Sequence, residues 1–187
     1  MGTSRNDRSP DIPPWKPALA ILGRRDIPQE RQLSEVWRAA QADRGARLLD
    51  AFSHPLLLEA CRLVAERAPL RQTLDRFDEA RQRGNYAGLA VELCSRALAR
   101  SAARAEGAIG FVGELFGEAT AYYLSRDLPS FVASENRVAT NSEAIQLKRS
   151  LTKAASLIAQ GQGEPPLDRE AWAQHVQRVL HGLTVAK

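Results

Sequence analysis

The chain has 187 residues, 44% hydrophobic and 26% charged, a balance that excludes an intrinsically disordered protein and allows a buried core without disulfides or metals. Its net charge of +4 permits an acidic partner without demanding one. Strand formers are sparse and alanine is abundant, which predicts an all-α fold: one domain, a bundle of seven to eight helices behind an extended, proline-containing N-terminal tail.

Residues 1–25 read as that tail. Pro10, Pro13, Pro14 and Pro17 argue against a helix and for an extended form. The segment has no apolar core and is not a secretory signal. Trp15 stands among the prolines; a tryptophan so placed docks on its own domain or on a protein partner, which makes it an interface candidate.

Residues 26–187 read as the bundle. Asp26, Pro28 and Gln29 open a first helix as cap, first turn and capping-box partner, with Leu33, Val36, Trp37 and Ala40 on its apolar face. After Gly45, residues Leu48, Leu49 and Phe52 continue as a short helix. Ser53 and Pro55 start a third, which buries Leu56, Leu57, Leu58, Cys61, Val64 and Ala65 until Pro69 breaks it. Leu70, Leu74, Phe77 and Ala80 stripe the next piece. Gly84 stops it, and Asn85 caps a fifth helix over about Tyr86–Arg104.

Gly107–Leu124 is the most telling stretch. Gly110, Gly113, Gly117 and Ala121 fall on one narrow stripe of a helix at three- and four-residue steps. A helix-interior glycine costs about 1 kcal/mol relative to alanine, so such a stripe calls for close approach of another backbone. It fits a central bundle helix or an assembly interface, including one with a second copy of the chain. Glu114 and Glu118 form a thin polar strip beside it. Each would cost roughly 2.5–3.5 kcal/mol at the middle of a bilayer, which argues against a membrane span. Pro129 ends the segment in a polar linker carrying Leu128, Phe131 and Val132. Thr140-Asn-Ser-Glu143 is a capping box for a seventh helix, and after the loop 161–166 Asp168 caps an eighth.

The chemistry-bearing residues are few. Glu92, Arg96, Arg100 and Arg104 recur every four residues, giving a basic ridge suited to phosphates or simply a solvated face. Lys148, Arg149 and Lys153 make a second basic cluster. Convergence of the two would favour a nucleic-acid site. Arg71, Arg76, Arg81 and Arg83 are muted by Asp75, Asp78 and Glu79. Aromatic residues are not interleaved with these faces, so a stacking platform is not expected. The Glu114–Glu118 pair lacks the Glu-x-x-His partners of a di-metal bundle and is expected to meet arginines of a neighbouring helix. His175 and His181 lie about 120° apart around their helix. No catalytic set, cofactor motif or metal set is expected, although Tyr122, Tyr123, Ser125, Arg126 and Asp127 cluster at a helix end like an active-site rim.

Cys61 and Cys94 read as small buried hydrophobes in a reducing cytoplasm, with a disulfide between them as the alternative. Lys16, Lys148, Lys153 and Lys187 are the only lysines, an arginine bias expected of a GC-rich bacterial genome. The sequence therefore points to a non-enzymatic adaptor or accessory subunit of a larger bacterial assembly, with Trp15, Gly110, Gly113, Gly117, Glu114 and Glu118 as its protein-interface candidates. The alternative is a small nucleic-acid-binding subunit that uses Arg96, Arg100, Arg104, Lys148, Arg149 and Lys153.

Overall fold

A computed structural model describes residues 15–42, 52, 54–127 and 140–185, the side chains of Arg126 and Asp127 excepted. Eight helices are delimited among the described residues: α1 (Lys16–Ile21), α2 (Gln29–Ala42), α3 (Pro55–Ala65), α4 (Leu70–Arg83), α5 (Leu89–Ala103), α6 (Gly107–Asp127), α7 (Asn141–Gln160) and α8 (Arg169–Val185). No strand occurs among the described residues. The all-helical architecture follows from the composition and from the 3.6-residue apolar periodicity.

The glycine-rich helix α6 is the central one. It packs most extensively against α7 and α5, and α3 also lies on it. Phe111, Val112, Leu115, Phe116, Ala119, Tyr123 and Leu124 are buried along its length. An aromatic cluster joins it to α2. Trp37 lies 5.7 Å from Phe116 and 6.0 Å from Tyr123 between ring centroids, and Phe52 stacks on Phe116 at 4.5 Å. The Trp37 indole N–H donates to Thr120 Oγ1 at 3.2 Å, and that hydroxyl donates to the Phe116 carbonyl at 2.8 Å. The one polar atom that Trp37 brings into the core is thereby satisfied.

The glycine stripe is used within the chain. A Cβ on Gly113 would come within 2.5 Å of Gln160 Nε2 and 2.8 Å of Ser156 Oγ on α7, whereas one on Gly117 would meet Thr152 at an ordinary 3.5 Å. Close approach of α7 thus uses Gly113 most tightly. Gly110 faces the Glu106 side chain just before the helix. The two α7-facing glycines should respond differently to substitution. Gly117→Ala is expected to stabilise by about 0.5–1 kcal/mol through helix propensity. Gly113→Ala should gain nothing or lose stability, because Ser156 and Gln160 must shift. Thermal melts of the two variants check this ordering.

Several sequence expectations need correction. The tail does not extend to residue 25: Lys16–Ile21 is helical, with Pro17 tolerated in its first turn. Trp15 is 5% exposed and sits 5.9 Å from the Tyr123 ring, so it docks on its own domain and offers no surface to a partner. Asp26 does not start α2. Its carboxylate accepts from the Arg24 guanidinium, and Gln32 ties the turn together by accepting from Gly23 N–H and donating to the Arg24 and Ile27 carbonyls. The fifth predicted helix starts at Leu89, because Asn85 (φ 50°) and Gly88 (φ 99°) take left-handed backbone and Tyr86 lies in the turn between them. The Thr140 cap, whose Oγ1 accepts from the Glu143 N–H, and the Asp168 cap form as expected. The expectations for Pro10, Pro13, Pro14, Gly45, Leu48, Leu49, Leu128, Phe131 and Val132 lie outside the described residues.

Two histidines make stability depend on pH. His175 is fully buried on α8. Its Nε2 has no hydrogen-bond partner, and its Nδ1 is 3.2 Å from Arg178 Nη2. Burial, followed by the Arg178 charge, lowers its pKa from 6.5. His54 caps α3 by accepting the Leu56 N–H at Nδ1, and burial lowers its pKa also. A histidine with a lowered folded pKa leaves the unfolded chain to bind protons first as pH falls. Its contribution is therefore complete above the unfolded value of about 6.5 and is lost as pH drops below it towards the folded value. The slope for His175 is at most about 1.4 kcal/mol per pH unit. Urea midpoints should fall between about pH 7.5 and about pH 5.5, and less steeply in His175→Gln.

Candidate anion-binding groove

The basic ridge of α5 faces α6. Four-residue spacing puts Arg96, Arg100 and Arg104 on one helix edge, and that edge lies over the polar strip of α6. Arg104 Nη1 donates to Glu114 at 2.6 Å, and Arg100 reaches Glu114 at 3.6 Å. Arg100 also pairs directly with Glu118, which Arg96 approaches at 3.9 Å. Glu92 and Glu106 close the ends of this ladder on Arg96 and Arg104. The expectation that the two glutamates meet arginines of a neighbouring helix is met within the chain. Glu118 is only 5% exposed, so its pairing is obligatory: a buried carboxylate that loses its partner costs about 3–5 kcal/mol.

Helix α7 supplies the opposite wall. Lys148, Arg149, Thr152, Lys153, Ser156, Leu157 and Gln160 fall on one face at three- and four-residue steps and line the same groove as the α5 arginines. The floor is α6, with Glu114, Gly117, Glu118, Ala121, Tyr122 and Ser125 along it. The groove encloses about 640 Å³, a volume in the range of ligand sites. Six cationic and three carboxylate side chains line it, so its field is positive. The two walls differ. The α5 arginines all hold carboxylates, whereas Lys148, Arg149 and Lys153 have no carboxylate partner among the described residues. Lys148 Nζ donates to Ser125 Oγ at 2.6 Å.

The structure therefore brings together all six predicted nucleic-acid candidates, with Gly117, Glu114 and Glu118 beneath them. Gly110 and Gly113 serve packing beside the groove and Trp15 lies in the core. Tyr122 and Ser125, read from sequence as part of a helix-end corner, lie along the groove floor. The side chains of Arg126 and Asp127 lie outside the described residues. Sequence reasoning missed Thr152, Ser156 and Gln160, although their four-residue spacing after Lys148 was a readable signal. Thr152 Oγ1 is a buried hydroxyl with no hydrogen-bond partner.

A second cavity, of about 680 Å³, is lined by His54, Arg62, Arg83, Tyr86, Arg169 and Trp172. There Arg62 is committed to the Leu167 carbonyl and to Glu59. Cys61 and Cys94 are free and buried, and burial pushes the Cys61 thiol up to about 12, far from thiolate reactivity. Among the described residues no cluster of three His, Cys, Asp or Glu side chains could hold a metal, and no helix is long and apolar enough to cross a membrane. No family model, curated protein or solved structure matches the chain.

Proposed function

We propose that the groove between α5 and α7 binds the phosphate backbone of a single-stranded nucleic acid, as the task of a small accessory subunit. The observation that carries this reading is the convergence of two basic clusters, more than forty positions apart in sequence, on one groove whose α7 cations have no carboxylate partner among the described residues. Phosphates bind cations largely by releasing condensed counterions, so uncompensated lysine and arginine contribute most. The floor is one helix wide, which suits one strand. Anisotropy titration of labelled oligonucleotides of about twelve nucleotides tests it. Saturable binding at low salt, tighter for a single strand than for the duplex of the same sequence, is expected. Absence of binding to either at low salt would overturn it.

The adaptor reading keeps one supporting observation. Ile145 and Leu157 are 51% and 57% exposed on α7, at either end of the cationic patch. A protein partner with an apolar and acidic surface would cover both. Under that reading Ile145→Ser, outside the groove lining, weakens partner capture and leaves oligonucleotide affinity unchanged.

A further inference from the structure

The α5 wall already holds anions when it reaches the groove. Carboxylate and phosphate oxygens offer a guanidinium the same acceptor geometry. Arg96, Arg100 and Arg104 bind Glu92, Glu114 and Glu118 in positions that phosphates would otherwise take. On the facing wall Lys148, Arg149 and Lys153 hold no carboxylate among the described residues. We infer that the arginine–glutamate ladder is an internal anion mimic that restrains the groove. A strand docks first on α7, and it reaches α5 only by exchanging a phosphate for a carboxylate.

This rests on the nucleic-acid reading and adds its regulation. Exchange is hardest at Glu118, because a buried carboxylate stripped of Arg100 is left with only the 3.9 Å approach of Arg96. It is easiest at Arg96, whose side chain is 55% exposed and whose nearer partner, Glu92, is 57% exposed. The ladder thus keeps the wild-type groove weak for any passing polyanion. It reserves the α5 arginines for a ligand that also satisfies α7.

The salt dependence of binding separates the two walls. With a labelled single strand of about twelve thymidylates, the wild-type protein should contact about three phosphates and give a slope of log K against log[salt] near −2. Glu114→Gln/Glu118→Gln frees Arg100, leaves Arg104 only its looser contact with Glu106, and removes two repelling charges, while Arg96 keeps Glu92. It should steepen the slope to about −3.5 and tighten binding about tenfold at 0.1 M salt. The exposed variant Glu92→Gln keeps the buried pairs, so it serves if the double variant does not fold. It should tighten binding about twofold and steepen the slope by about 0.7. A wild-type protein that binds, with variants that bind no tighter and at the same slope, overturns the restraint and leaves the nucleic-acid reading standing. No binding by the wild type or by any folded variant overturns both.

Discussion

Trp37→Ala is expected to lower stability by about 4 kcal/mol and the melting temperature by about 10 °C. The indole is wholly buried and touches the rings of Phe52, Phe116 and Tyr123. It joins α2 to the centre of α6, so truncation leaves a cavity lined by large side chains that cannot collapse into it. Its N–H reaches across to Thr120 Oγ1, and that contact orients the ring. Trp37→Phe should cost less than half as much, because Thr120 keeps its bond to the Phe116 carbonyl and most of the volume stays filled. Denaturant titration of the three proteins gives the ordering. A loss below about 1 kcal/mol for Trp37→Ala would mean that the aromatic cluster is not the core of the bundle.

The largest functional effect is expected from Arg149→Glu/Lys153→Glu. Both side chains are exposed on α7, and neither has a carboxylate partner among the described residues. Their reversal removes two phosphate contacts and places two negative charges on the wall where a strand would dock. Affinity for a single strand should fall by about a hundredfold or more at 0.1 M salt. Folding should scarcely change, because solvated surface substitutions of this kind usually stay within about 0.5 kcal/mol. Anisotropy and melting curves from the same samples read both effects. Retained affinity would move the ligand away from α7, and a large drop in melting temperature would show that the two residues serve the fold.

Much of the fold was legible because its signals are local. The Thr140 cap, the Asp168 cap, the stop at Gly84 and the apolar stripes each depend on residues a few positions apart. The glutamate pair on α6 was also legible, since acids one turn apart on a buried helix need basic partners. What sequence could not give was the rotation of α7 about its axis. That rotation turns Lys148, Arg149 and Lys153 towards the α5 arginines, and it is set by how Gly113 and Gly117 admit Thr152, Ser156 and Gln160. The Trp15 segment failed for the opposite reason. Local proline chemistry argued for an extended tail, but burial of one indole beside Tyr123 holds a short helix against the bundle. Tertiary packing outweighs local propensity there; at Asp26 the competitor is itself local, an exposed pair with Arg24 two residues away.

The salt dependence of wild-type affinity for a single strand of about twelve nucleotides tests the central claim most directly, measured between about 50 and 200 mM salt. A straight line of slope near −2 is the result expected of a groove in which three α7 cations each release a counterion. A flat line, or no measurable binding at the low-salt end, would contradict the assignment of the groove to phosphates.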